Sequence, residues 1–245
     1  SACLVGSEMC IRDRHMLYRQ PEAERRRTTN EVSIHMDDTR NFVRLRGAAG
    51  DPQVSHENHG QRFFRFPLSV RRLSGQPDVI YVIATGEQLQ PLLPLEGRRL
   101  TVEGQLRSFN NKSGQGSRLV ISVFARVLTE AEENDDCNEI QLQGVLCKPP
   151  VLRRTPLGRC ICDMMLAVNR RYGRADYLPC IAWGQVAVLT GRLDTGSPLA
   201  LEGRVQSRIY TKIVDGQPQE RTAYEVSVMH LVDPDPAPEP GDSET

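Results

Sequence analysis

Two stretches of this chain align with each other almost a hundred residues apart, and that internal repeat limits the fold more than any other feature. Asn41-Phe-Val-Arg-Leu-Arg-Gly47 lines up with Asn138-Glu-Ile-Gln-Leu-Gln-Gly144 at an offset of 97, and Pro52 falls on Pro149. Leu68-Ser-Val-Arg-Arg72 meets Leu166-Ala-Val-Asn-Arg170 at 98, as Asp78 meets Asp176 and Gly86 meets Gly184. Glu103-Gly104 meets Glu202-Gly203 at 99, and Ser122-Val123 meets Ser227-Val228 at 105. Slow drift of this kind is what small loop insertions produce, so the chain reads as a duplicated domain. A length of 245 residues suits two small domains of this size.

Each copy has the period of a half-buried strand. Ile140, Leu142 and Gly144 alternate with Glu139, Gln141 and Gln143. Cys162 to Val168 and Leu178 to Trp183 form short strand-like runs, and Leu199 to Ile209 and Tyr224 to Leu231 alternate again. Pro149-Pro150, Gly158, Gly173, Gly184, Gly196 and Asp215-Gly216 punctuate them. Val186 to Leu193 is the one stretch suited to a short helix. About five strands and one helix predict a small Greek-key barrel, with a β-sandwich as the competing architecture.

Charge separates along the chain although the total is zero. Residues 41–128 carry 12 Lys+Arg against 6 Asp+Glu, and residues 139–232 carry 12 against 8. The cancelling acids cluster at Glu130, Glu132, Glu133, Asp135 and Asp136, and in the Pro-rich end DPDPAPEPGDSET. Two basic modules with acidic connectors fit a polyanion partner, or simply two solvated surfaces. The resulting division is a segment 1–36 without sustained periodicity, barrels at 37–128 and 138–232, an acidic linker at 129–137 and a disordered tail at 233–245. The opening SACLVGSEMCIRDR reads as a translated adapter and is left out of the fold, with Met16 and Met36 as candidate starts.

No apolar run approaches the roughly 20 residues of a membrane helix. The seven cysteines are scattered, which points to reduced thiols in a cytoplasmic protein. The motifs G-x-x-x-x-G-K-[ST], H-E-x-x-H and G-x-S-x-G are missing, and His56 and His59 sit in a polar loop. The expectation is a binder and not an enzyme, with no cofactor and no metal.

Single-strand binding needs planar side chains for unstacked bases and cations for phosphates along one path. The second repeat interleaves both. Arg170-Arg171-Tyr172-Gly173-Arg174 places an aromatic among arginines, Tyr177 and the lone tryptophan Trp183 follow, and Arg208-Ile209-Tyr210-Thr211-Lys212 repeats the mixture. Trp183, in an apolar run before Gly184, fits a core position as well.

Residues 138–231 resemble the bacterial single-stranded DNA-binding proteins of replicative type. The resemblance lies in NEIQLQGVLCKPPVLRRTPLGR, LAVNRRYGRADYLPCIAWGQ and LEGRVQSRIY. It implies an all-β chain of two tandem oligonucleotide-binding (OB-fold, five-stranded Greek-key) barrels, the first degenerate. It implies base stacking on Tyr172, Tyr177, Trp183 and Tyr210; phosphate contacts are expected from Arg170, Arg171, Arg174, Arg208 and Lys212. It further implies assemblies that display four barrels, so two-barrel chains would pair as a homodimer. The partner is then single-stranded DNA, in replication, repair and recombination. The rival readings are a replisome or primosome adaptor and an RNA-binding barrel. The family's acidic tail closes on an apolar tip that docks replication proteins, whereas this chain ends Gly241-Asp-Ser-Glu-Thr245, which puts that docking in doubt. The offsets put the four stacking positions of the first copy at Ser74, Val79, Thr85 and Asn111. Its own aromatics, Phe63, Phe64, Phe66, Tyr81 and Phe124, are expected in the core; Phe109, near a loop, could stack.

Overall fold

The computed structural model describes residues 41–111, 117–170, 173–214 and 216–233. The leading segment, the tail beyond Asp233, and the expected contacts at Arg171 and Tyr172 lie outside the described residues.

In the first copy the strands are β1 (Asn41–Ala49), β2 (Gln53–Asn58), β3 (Gln61–Arg71), β4 (Pro77–Thr85), β5 (Arg99–Asn110) and β6 (Leu119–Glu130). A short helix, α1 (Gly86–Leu89), lies between β4 and β5. The barrel closes in the order β1–β5–β6–β4–β3 and back to β1. Only the β4–β6 pairing in that ring is parallel. The second copy repeats this with β7 (Cys137–Leu146), β8 (Val151–Arg154), β9 (Cys160–Asn169), β10 (Ala175–Trp183), α2 (Gly184–Thr190), β11 (Pro198–Val214) and β12 (Gln217–Val232). Its ring is β7–β11–β12–β10–β9, again with one parallel pair, β10–β12. Both are OB-fold barrels.

Alternation builds each core. Val43 and Leu45 of β1, and Ile140 and Leu142 of β7, point inward, where they meet Phe66, Leu68, Leu100, Leu166, Leu178 and Leu201 in a continuous apolar cluster. Each such side chain contributes about 1.5–3 kcal/mol on burial. β2 and β8 pair onto the outside of β3 and β9, and every residue in them is exposed.

Two aligned glycine pairs, Gly47 with Gly144 and Gly104 with Gly203, sit where another strand comes too close for a side chain. A Cβ on Gly104 would overlap the Phe124 carbonyl oxygen, and one on Gly203 would overlap that of Ser227. Both lie at register shifts, Glu103/Gly104 and Glu202/Gly203, where the barrel strand bends. Gly203→Ala should therefore lower stability by about 1–3 kcal/mol, the usual cost of overpacking. A urea midpoint unchanged from the parent chain would contradict this.

The two barrels join through β1 and β7, which pair antiparallel about Val43 opposite Ile140. Asn41 faces Leu142, and Asn138 faces Leu45, so the two copies enter the ladder in the same way. This produces one twelve-stranded sheet among the described residues. The paired asparagines have one task. Asn41 Nδ2 donates to the Leu106 carbonyl and its Oδ1 accepts from the Leu106 N–H, both at 2.8 Å; Asn138 does the same for Val205 at 2.8 and 2.9 Å. Each amide satisfies strand groups just past the end of the main-chain ladder.

Asp78 and Asp176, also aligned by the repeat, lock the seam from both sides. Both are 0% exposed. Asp78 accepts from Arg72 Nε and Nη2 at 2.7 and 2.6 Å, and across the seam from the Ser207 N–H at 2.7 Å. Asp176 accepts from Arg170, from Arg107 Nη1 at 3.2 Å, and across the seam from the Ser108 N–H at 2.5 Å. Arg72 and Arg170 complete the exchange by donating to the carbonyls of Ser207 and Ser108 at 2.9 and 3.0 Å.

The acidic connector docks back on the first barrel. Glu133 and Asp135 pair with Arg46 at 2.5 and 2.7 Å, and Asp136 pairs with Arg99 at 2.5 Å and accepts from the Arg71 N–H at 2.5 Å. Part of the first barrel's basic surplus is neutralised there.

Candidate nucleic-acid interface

The period of β10 decides which of its side chains face outward. Asp176, Leu178, Cys180 and Ala182 are buried, while Tyr177 and Trp183 stand on the opposite face, 49% and 43% exposed. Six residues of strand place them about 20 Å apart along β10. Trp183 also begins α2, where no side chain caps the helix. At the aligned position of the first barrel, the Thr85 hydroxyl accepts from the Gln88 N–H and the Gln88 side chain answers the Thr85 N–H, completing a capping box. An indole at this site forgoes a cap that contributes about 1 kcal/mol.

The same face of the sheet runs on to β12 and β11 through the buried residues Ile181 and Ser227. Ile181 is opposite Ser227, Ser227 is opposite Arg204, and Tyr210 is opposite Arg221. Arg204, Arg208, Tyr210 and Lys212 follow one another at even spacing along β11 and share that face. Tyr210 is half-buried, and Arg208 and Lys212 are exposed. Arg204 and Arg221 were missed in the sequence, although the even spacing from Arg204 to Tyr210 could have signalled the first of them.

Arg174 is exposed just before β10. Arg170 differs from the other expected phosphate contacts, because its guanidinium is committed to Asp176 and to the Ser108 carbonyl. Its partners were hidden in the sequence, one of them being 62 residues away.

In the first barrel Phe66 and Phe63 are buried as expected. Phe64, Tyr81 and Phe124 are only half-buried, and the Arg65 guanidinium lies 3.5 Å from the centre of the Tyr81 ring. Phe109 is 51% exposed.

Residues 137–232 match the model of the single-strand binding protein family. Single-stranded DNA-binding protein B of Bacillus subtilis is 36% identical over 80 residues, which are 30% of this chain and 71% of that protein. The chain belongs to the single-strand binding protein family. Single-stranded DNA-binding protein 2 of Listeria innocua, another relative, is 36% identical over 80 residues, and the chain spans about half its length (50%). The crystal structure of the wild-type single-stranded DNA binding protein of Thermus aquaticus superposes with a TM-score of 0.64 at 25% identity, covering 81% of this chain and 94% of that one. That coverage extends over both barrels, whereas the match to the single-strand binding family model is confined to the second.

Proposed function

We propose that the second barrel, residues 138–232, holds single-stranded DNA without strong sequence preference and shields it during replication, repair and recombination. Bases stack on Tyr177, Trp183 and Tyr210, with Tyr172 as a fourth ring, and phosphates pair with Arg174, Arg208, Lys212 and Arg171. Arg170 acts through Asp176 as a positioning residue for this end of β10. The observation that carries the reading is the exposure of Tyr177 and Trp183 on the outward face of one strand, since a ring placed for packing alone would turn inward. Relatives named as single-stranded DNA-binding proteins support it. The protein acts by binding and not by catalysis, in the cytoplasm, and its two-barrel chains pair as a homodimer with four barrels.

Titrating the lone indole with dT oligomers at several salt concentrations tests the binding. Log K should fall with log salt by about 0.7 for each phosphate contacted. A protein adaptor would bind poly-dT weakly at every salt concentration. RNA of the same sequence should bind no tighter than DNA, since a site built for RNA would use the 2′-hydroxyl. In solution the mass should be twice the 27.5 kDa of one chain, and a stable monomer would exclude the homodimer.

A further inference from the structure

The first barrel carries outward aromatic side chains, Phe109 and Phe124, at positions other than the four lost ones. Strand alternation puts Gln105, Arg107 and Phe109 of β5 on one outward face with Ser122, Phe124 and Arg126 of β6. A groove of about 900 Å³ runs along this face, and Asn169, Arg170 and Arg174 of the second barrel form its far wall. Among its described lining residues are the rings of His56, Phe109 and Phe124, and the buried Phe63 behind the wall links the first to the last. The His56 ring stacks on Phe63 at 4.7 Å and 6°, and Phe63 meets Phe124 at 5.8 Å.

The groove is basic. Arg107, Arg126, Arg170 and Arg174 line it, with no Asp or Glu among the described lining residues. Asp176 lies beneath and answers both Arg107 and Arg170, which leaves a surplus of positive charge. Burial first, then the charges of Arg170 and Arg126, hold Arg107 below its ordinary value against the pull of Asp176. The buried Ser122 hydroxyl on the floor has no hydrogen-bond partner among the described residues. Across the opposite seam, where Asp78 meets Ser207, the Tyr224 hydroxyl donates to the Val79 carbonyl at 3.0 Å and ties the barrels together. The repeat aligns Tyr224 with Leu119, which has no hydroxyl to offer on the groove side.

We propose that this inter-barrel groove is a second seat for single-stranded DNA, in which a base stacks on Phe109 against the Phe124 edge and the flanking phosphates pair with Arg126 and Arg174. The proposal rests on the second barrel binding single strands, for the groove would take up the strand as it leaves the Tyr177 end of that barrel. The Tyr177 N–H donates to the Ser108 hydroxyl at 2.8 Å, so the two surfaces adjoin.

The test compares dT oligomers of about 8 nucleotides, within one barrel's reach, with oligomers of about 30 that exceed it. Phe109→Ala should bind the short oligomer like the parent chain and lose roughly 5- to 150-fold for the long one, the equivalent of one stacked base. Arg126→Ala should reduce the salt slope for the long oligomer by about 0.7. Long oligomers carrying 5-iodouracil should crosslink to Phe109 under light. If the Phe109→Ala, Arg126→Ala double variant binds long strands within about twofold of the parent while Trp183→Ala weakens both lengths, the groove is not a seat and the second-barrel reading stands. If the parent chain binds neither length, both fall together.

Discussion

Replacing Trp183 and Tyr210 together with Ala should weaken binding of a dT oligomer by about 2–6 kcal/mol, because each stacked base contributes roughly 1–3. Trp183 allows a sharper version. Trp183→Thr removes the ring but installs the helix cap that Thr85 provides in the first barrel. The cap offsets part of the packing lost with a half-exposed indole, so stability should stay within about 1 kcal/mol of the parent. Binding measured by anisotropy and stability measured by urea unfolding should therefore separate. If both fall together, Trp183 is a packing residue and the stacking reading fails. If neither moves, the strand does not cross β10.

Asp176→Ala should cost about 3 kcal/mol. Removing one partner of a buried ion pair leaves the other charge stranded, and the low end of the usual range applies because Arg107 and Arg170 keep about a quarter of their surface exposed. The Ser108 N–H across the seam also loses its acceptor. Asp78→Ala should cost a similar amount, since Asp78 holds Arg72 and the Ser207 N–H in the same arrangement. A urea midpoint within the equivalent of about 0.5 kcal/mol of the parent would show the seam to be held by the β1–β7 ladder alone. The pH dependence has a definite sign. Burial alone would push the Asp78 carboxyl up, but the Arg72 hydrogen bonds and donation from Ser207 outweigh it and hold the group below its ordinary value. Asp136 is likewise held low by the Arg71 N–H and Arg99 against its own burial. A depressed carboxyl contributes stability that is complete above the ordinary carboxylate value and disappears as the pH falls through the lower folded one. Urea midpoints taken from about pH 6 to about pH 3 should decline, and Asp78→Asn should flatten that decline.

Much of the architecture was legible because burial leaves a period. Ile140 and Leu142 alternate, and inward strand positions behave as expected. β2 and β8 were not legible, because strands with no buried residue have no period to read. β11 and β12 run further than the alternation suggested, since Ile209 and Ile213 lie exposed in the extended part of the ribbon. The helix expected at 186–193 forms at Gly184–Thr190, starting directly from Trp183. In the candidate interface the sequence left Trp183 fit for a core position as well, and the structure puts it with Tyr177 on the exposed face of β10. The commitment of Arg170 was not readable, because Ser108 reaches it only through the docking of two barrels. Nor was the connector, whose acids looked like a solvated tether but find Arg46, Arg71 and Arg99. The aromatic wall of the first barrel was hidden for a related reason: His56 sits on a wholly exposed edge strand and gains its meaning only against Phe63.

The β1–β7 ladder has a further consequence. Both of its strands belong to one polypeptide, so dilution cannot pull them apart, and the pairing survives at concentrations where two separate single-barrel chains would drift free. A contact between identical molecules must also match itself, which ties every change on one side to the same change on the other. Fusion lifts that restriction. One half can keep its rings at Tyr177 and Trp183 while the other sets Val79 and Thr85 in their places and carries its exposed ring elsewhere, at Phe109.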